Sequence, residues 1–132
     1  MKAVFNDMED HSSSVDGATV HDRNELFAQL DSIGDREPFG CELLGENGFK
    51  LTLGIGKDIG FVQHSPADGD IPYLVAVAPQ KYCEQEYVEF LVGGTPTPIP
   101  QRFCLLFEMV KQIAAHFVET GERSPAFSWE EI

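Results

Sequence analysis

The sequence predicts a single α+β domain, in which an antiparallel sheet of about five to seven strands packs against two main helices. Short runs rich in β-branched and aromatic residues follow one another between residues 40 and 99, with turn signals between them. Segments with the apolar spacing of helices flank this region, at 22–33 and 101–120. A chain of 132 residues has the usual length of one domain, so we expect residues 1–132 to form one unit.

The segment before the first helix, residues 1–15, is expected to be mobile. Its stretch Met8–Ser14 is polar enough to be a loop. No linker, repeat or low-complexity segment divides the rest of the chain.

The first predicted helix spans residues 22–33. Asp22 is a favourable N-cap, and Glu25 three residues later completes a capping box. Gly34 offers a C-terminal stop. The apolar residues recur at the spacing of one buried face, and they are Leu26, Phe27, Leu30 and Ile33.

Six strands are predicted between the helices. The connections between them are short, which favours antiparallel hairpins over crossovers. Turn signals such as Asn47-Gly48 and Gly93-Gly94 separate the runs. The strands are expected near residues 41–45, 49–54, 59–64, 72–78, 86–92 and 95–99.

The second helix is expected to begin after Pro100, because proline suits a helix entry, and to continue to about Thr120. Gly121 is placed to end it in the left-handed conformation, and Pro125 prevents its continuation. The chain then extends to Trp129, for which we favour a structural role that pins the tail to the sheet.

The charge is strongly acidic, with 22 acidic and 9 basic residues and a formal net charge of −13. Such a field repels nucleic acid and anionic membranes and speeds the encounter with a basic partner. Direct binding of nucleic acid or membrane is therefore not expected. Solubility alone explains the excess equally well, so charge does not decide the function.

The cellular compartment is expected to be the cytoplasm. No apolar run approaches the roughly 18 residues that span a bilayer, and the N-terminus lacks a signal-peptide pattern. The three scattered cysteines Cys41, Cys83 and Cys104 fit reduced thiols rather than a disulfide framework.

Catalytic motifs are weak, so the chain is not expected to be an enzyme. The cysteines and the four histidines have no short metal-ligand spacing, and neither a metal nor a cofactor is predicted. Gly54-Ile55-Gly56 lacks the third glycine and the following helix of a phosphate loop. His64 lies at a strand end and is compatible with either a structural or a functional role.

Four short stretches, taken in order, resemble the first-numbered immunity family of bacterial polymorphic toxin systems. They are Leu51–Gly56, Asp68–Tyr73, Phe90–Gly94, and Gly121-Glu122-Arg123 with Trp129-Glu130-Glu131. The resemblance covers roughly residues 15–132, and its structural signature is Gly93, Gly94, Gly121 and Trp129. It implies a cytoplasmic antidote that is encoded beside a secreted toxin. Toxins typically associated with this family are zinc-dependent deaminases that act on nucleic acid or nucleotides.

An acidic antidote is expected to cover the basic substrate cleft of its toxin, in a 1:1 heterodimer. The candidate contacts combine carboxylates on turns with exposed tyrosines, and they are Asp58, Asp68, Asp70, Tyr82, Glu84, Glu86, Tyr87 and Glu89. An alternative interpretation is an acidic adaptor or small-ligand-binding domain without catalysis. A hydrolase or transferase that uses a cysteine or histidine is a third.

Overall fold

Ten strands and two α-helices follow one another along the chain in the computed structural model, which describes residues 1–132. The helices are α1 (Arg23–Ile33) and α2 (Phe107–Thr120), and a 3-10 turn spans Gln101–Phe103. The strands are β1 (Ala3–Asp7), β2 (Thr19–Val20), β3 (Phe39–Gly45), β4 (Phe49–Gly56), β5 (Ile59–Pro66), β6 (Leu74–Val77), β7 (Tyr87–Val92), β8 (Thr95–Pro100), β9 (Leu105–Leu106) and β10 (Ser128–Glu131).

The α+β class is confirmed, but the sheet has ten strands rather than five to seven. The six predicted strands correspond to β3–β8, with boundaries shifted by about two residues. The additional strands β1, β2, β9 and β10 contain two to five residues each. Strands β2 and β9, with two residues each, are too short to show a period, and only their neighbours in the sheet define them.

The sheet follows the order β10-β6-β5-β4-β3-β1-β2, and neighbouring strands in this path are antiparallel. The β7–β8 hairpin joins the sheet through one parallel pairing, between Phe39 of β3 and Leu91 of β7. Strand β9 pairs with the start of β5 at Ile59 and Gly60. The long β4–β5 hairpin therefore forms the centre of the sheet, and both ends of it are available to position side chains.

One face of the sheet packs against both helices. Its core contains Leu43, Leu51 and Leu53 from the strands, with Leu30 of α1 and Phe117 of α2. Burying apolar area of this kind contributes about 25 cal/mol per Å² and is the main force that holds the layers together.

The opposite face is partly covered by the β7–β8 hairpin. A Cβ at Gly40 would lie 3.0 Å from Val92 of the hairpin, so the absence of a side chain permits the close approach. Gly54 likewise leaves room for a ring, because a Cβ there would lie 2.1 Å from Phe61. The Phe61 ring meets Phe90 of the hairpin edge-on, with centroids 5.1 Å apart. The hairpin is thereby fixed beside the β4–β5 turn.

The second helix begins at Phe107, not immediately after Pro100 as predicted. Pro100 instead precedes the 3-10 turn, and Leu106 is extended because β9 pairs with β5 before the helix starts. This tertiary pairing overrides the local preference of the segment. At the other end Gly121 has φ +78°, and its N–H donates to the carbonyl oxygen of Phe117 at 2.7 Å.

The N-terminal segment makes specific contacts around Asp7, a buried residue of β1. Its carboxylate accepts hydrogen bonds from the backbone of Glu9 and Asp10, from the hydroxyl of Ser13 and from Arg36. Burial by itself raises the pKa of Asp7, but these hydrogen bonds outweigh it and lower the pKa to about 2. Although the mobility of residues 1–15 stays a prediction, part of this segment is anchored by strand pairing and by this carboxylate.

The free edge of β8 carries alternating prolines at positions 96, 98 and 100. The N–H of Gln101 donates to the carbonyl oxygen of Glu86 at the start of β7. Backbone groups alternate in direction along a strand, so those of residues 96, 98 and 100 point away from β7. Because proline has no N–H, the outer edge of β8 presents carbonyl groups without a donor between them.

Candidate functional site

The β4–β5 turn places Asp58 at one end of the central hairpin. The preceding residue, Lys57, has φ +51°, which is unusual for a residue with a side chain. The backbone fixes this turn on both sides. The N–H of Lys57 donates to Gly34 at 3.1 Å, and the carbonyl of Asp58 accepts from the first residue of α2, Phe107, at 3.0 Å.

The segment from Tyr82 to Glu89 comes to the same end of the molecule. Tyr87 and Glu89 point outwards from β7, and the side chain of Tyr87 is 59% exposed. Glu84 forms an exposed ion pair with Lys81 at 3.2 Å, which contributes little to stability. Glu86 is exposed beside this pair, at the entry to β7.

These two segments border one groove, which we call the acidic groove. It has a volume of about 390 Å³, and its lining includes two carboxylates and one cation, with the polar and aromatic residues Asp58, Glu89, Lys57, Cys83, Gln85 and Tyr87. Three of the eight predicted contacts line the groove, and three more, Tyr82, Glu84 and Glu86, lie in the segment that borders it. Neither Asp58 nor Glu89 forms an ion pair within the chain, so both carboxylates are free to meet a basic partner.

Asp68 and Asp70 lie elsewhere, in the loop after β5. Eight strand residues separate this loop from the β4–β5 turn, which corresponds to about 25 Å. The Asp68 carboxylate accepts from the backbone N–H of Asp70 at 2.9 Å, and the hydroxyl of Tyr73 donates to the carbonyl oxygen of Gly69. This is the geometry of a side-chain-supported turn. One continuous contact surface through all the predicted acids would have to span the length of the hairpin.

Tyr82 is half-buried in the loop between β6 and β7 and is less accessible than Tyr87. Its neighbour Cys83 contacts the carbonyl oxygen of Gln85 at 3.7 Å. Among the candidate tyrosines, Tyr87 therefore offers the larger free surface to a partner.

The cysteines offer no activated thiol in the core. Burial raises the pKa of Cys41 to about 12, and burial together with the neighbouring Cys83 raises the pKa of Cys104 to about 12. No three His, Cys, Asp or Glu side chains are arranged to hold a metal ion. Neither helix combines the length and the apolar character required to span a membrane.

A second cavity lies at the opposite end of β4 and β5, on the face that carries the helices, and we call it the aromatic pocket. It has a volume of about 430 Å³ and is lined by Phe49, Phe127, Trp129, His64 and Arg123 together with neighbouring residues of the segment after α2. The sequence motifs point to Trp129 and Arg123. Phe49 and Phe127 carry no recognisable signal, because only the folded chain brings them together.

His64 is the buried titratable group of this pocket. Its ring is stacked on Phe49 with centroids 5.0 Å apart, and it meets Phe117 and Trp129 edge-on at 6.1 and 6.4 Å. Burial, and secondarily the positive charge of Arg123, lowers the pKa of His64 to about 4. The imidazole is therefore neutral at physiological pH.

Trp129 lies in β10, opposite Ala76 of β6. Its indole N–H donates to the carbonyl oxygen of Ser124 at 3.0 Å. Strand pairing and this hydrogen bond hold the half-buried ring at the end of the sheet, where it forms one wall of the aromatic pocket.

Comparison with known families gives a match over almost the whole chain. The model of a family described as Immunity protein Imm1 matches residues 4–131. The matched region begins within β1, earlier than the resemblance drawn from the motifs, and includes both ends of the central hairpin. No curated protein matches the chain.

Proposed function

The chain belongs to the Imm1 family of immunity proteins, and from this premise we propose that it binds and neutralises a cognate toxin domain without catalysing a reaction itself. The toxin is a deaminase that acts on nucleic acid or nucleotides, as the resemblance to the family implies. The complex is a 1:1 heterodimer in the cytoplasm, where the antidote protects the cell that makes it.

The observation that carries this proposal is the convergence of Asp58, Tyr87 and Glu89 at the acidic groove. An exposed tyrosine ring is typical of an interface centre, and unpaired carboxylates around it suit the polar rim that meets a charged partner. The groove lies between a turn and a hairpin, so its side chains project without disturbing the core. These features support a surface that enters or covers a cationic cleft.

A deaminase that acts on nucleic acid needs a positively charged cleft to hold phosphate groups. The carboxylates of the groove pair with the lysine and arginine side chains of this cleft, and Tyr87 excludes water at the centre of the contact. Substrate and antidote then compete for the same surface. The net charge of −13 steers the encounter and makes the association rate fall with ionic strength.

The test compares two double charge reversals that change the net charge equally. Asp58→Lys with Glu89→Lys alters the groove, and Asp68→Lys with Asp70→Lys alters the loop about 25 Å away. Binding to the purified cognate toxin domain is measured by calorimetry, and rescue is measured by co-expression with the toxin. We expect the groove variant to bind about 100-fold more weakly or worse, and the loop variant to stay within about threefold of the wild type.

Equal losses for both variants would show that net charge, rather than the groove, determines binding. Full affinity and full rescue by the groove variant would overturn the assignment of the interface. A toxin domain that this chain neither binds nor neutralises, although the two are encoded together, would contradict the function itself.

A further inference from the structure

The aromatic pocket is separate from the proposed toxin interface and contains two polar groups without a protein partner. His64 is only 7% exposed, and its ring makes aromatic contacts but no hydrogen bond to another protein group. Arg123 forms no ion pair, and its guanidinium carbon lies 5.9 Å from the ring centroid of Trp129. Ser65 Oγ is the one fully buried side-chain polar atom without a partner, so the ring nitrogens of His64 remain accessible from the cavity. The imidazole and the exposed guanidinium of Arg123 are therefore both free to hydrogen-bond a ligand.

The chemistry of the polar groups defines the ligand. A neutral imidazole can donate one N–H, and a guanidinium donates several in a planar arrangement that matches a carboxylate. Glu122 at the rim of the pocket and the net charge of −13 oppose a doubly charged group such as a phosphate monoester. A single negative charge fits the site best.

The walls define the body of the ligand. Phe49, Phe127 and Trp129 present ring surfaces to the cavity, and aromatic rings pack best against other flat rings. A volume of about 430 Å³ lies within the range of small-molecule sites. We propose that the aromatic pocket binds a small one- or two-ring aromatic monocarboxylate, whose carboxylate lies between Arg123 and His64.

The pocket is held open by hydrogen bonds that do not involve its ligand-facing groups. The indole N–H of Trp129 donates to Ser124, and the Asn47 side chain donates to the carbonyl oxygen of Gly121 at 2.8 Å. The hydroxyl of Ser124 accepts from the N–H of Ala126 at 3.2 Å. Because the walls are fixed in advance, binding costs little ordering of the protein.

The single tryptophan of the chain makes the test specific. Trp129 is the only source of an indole N–H signal in a ¹H–¹⁵N correlation spectrum, and it lies in the pocket wall. The full chain is titrated with benzoate and with 2-naphthoate, and benzamide, benzylammonium and inorganic phosphate serve as controls. We expect saturable shifts of the indole signal with the two carboxylates, and binding at least about tenfold weaker for each control.

Two variants assign the contacts. Arg123→Gln is expected to weaken benzoate binding by about tenfold or more, because it removes the charge-assisted hydrogen bonds. The matched control is Arg102→Gln, since Arg102 is exposed, pairs with Glu130 at 3.0 Å and does not line the pocket. The control is expected to bind within about twofold of the wild type.

His64→Phe keeps a ring in the same place and removes the N–H, and we expect it to weaken benzoate binding several-fold. Thermal unfolding of each variant establishes that the fold is intact. The proposal is overturned if benzoate up to about 10 mM gives no saturable indole shift, if benzamide binds equally well, or if both arginine variants lose affinity alike. The toxin takes no part in these measurements, so their outcome is independent of the proposed immunity function.

Discussion

The two ends of the β4–β5 hairpin carry surfaces of opposite construction. The acidic groove is made of exposed carboxylates and Tyr87 on a turn and a hairpin, and these side chains contribute little to the core. The aromatic pocket is made of rings that continue the core, with His64 in contact with Phe117 of α2. The difference indicates that the exposed side chains of the groove can change with little effect on the core, whereas truncating a ring of the pocket also removes core contacts.

The largest expected effect tests how the groove end is supported. A Cβ at Gly60 would lie 2.2 Å from the carbonyl oxygen of Gly54 and 2.9 Å from Val110. Since a backbone atom cannot move aside cheaply, Gly60→Ala is expected to lower the free energy of unfolding by about 3 kcal/mol or more. The control is Gly48→Ala at the other end, where φ is +86° and nothing lies within 4 Å, and its expected cost is about 1 kcal/mol. Urea denaturation measures both, and equal losses would show that the close approach of Gly60 to the Gly54 backbone does not determine how the groove end is supported.

The next effect concerns pH and belongs to the pocket end. The pKa of His64 is lowered to about 4 in the folded chain, from an ordinary value of 6.5. The folded state therefore favours the neutral ring. Below pH 6.5 the unfolded chain takes up a proton at His64 and the folded chain does not, so the free energy of unfolding decreases. The decrease reaches up to about 3 kcal/mol as the pH falls to about 4.

The measurement is urea denaturation at several pH values between about 7 and 4. His64→Phe should remove most of the pH dependence in this range. Asp7 does not interfere, because its pKa is lowered from 3.8 to about 2 and its contribution is lost only as the pH falls through that lower range. An unchanged slope in the His64 variant would show that another group is responsible.

A smaller effect concerns the affinity for the toxin, which the proposed interface assigns to the groove end of the hairpin. Tyr87→Ala is expected to weaken toxin binding by about 2 kcal/mol, because it removes the exposed ring at the centre of the contact. Tyr73→Ala removes a half-buried tyrosine whose hydroxyl donates to Gly69 near the other end, and toxin affinity should stay within about twofold. Calorimetry with the cognate toxin domain distinguishes them, and a greater loss for Tyr73 would move the interface to the loop after β5.

The smallest expected effect is a gain in stability at the groove end. Lys57 adopts φ +51°, and a left-handed conformation costs a residue with a side chain about 1 kcal/mol relative to glycine. Lys57→Gly should therefore stabilise the chain by up to about 1 kcal/mol and keep the hydrogen bond from its N–H to Gly34. Lys57→Ala retains a Cβ and should give no such gain. The same increase in both variants would mean that the removed charge, not the backbone, is responsible.

Local patterns predicted a large part of the fold. The predicted N-cap of α1 is present, with the Asp22 carboxylate accepting from the N–H of Glu25 at 2.8 Å, although the Glu25 side chain does not return the bond of a full capping box. The six predicted strands correspond to their β-branched and aromatic runs. The start of α2 was wrong because the pairing of Leu105 and Leu106 with β5 is a tertiary contact. The two-residue strands were missed because they contain too few residues to show a period.

The functional surfaces were predictable only in part. The acidic residues on turns could be recognised from the sequence as exposed candidates. Which of them lie together at one end of the β4–β5 hairpin depends on the register of the two strands, in which Leu53 is opposite Val62. The aromatic pocket unites Phe49 and His64 of the central hairpin with Trp129 of β10, which is distant from them in the chain. No spacing rule within a single sequence relates such residues to one another.

The proline-bearing edge of β8 restricts how other chains can associate with this protein. An incoming strand would find acceptors at residues 96, 98 and 100 but no donors, so it could not form a continuous hydrogen-bond ladder there. Self-assembly into extended ribbons through this edge is thereby blocked, even at high protein concentration. A partner that approaches the hairpin must instead be selected by the shape and charge of its side chains, because the backbone of this edge offers no ladder to pair with.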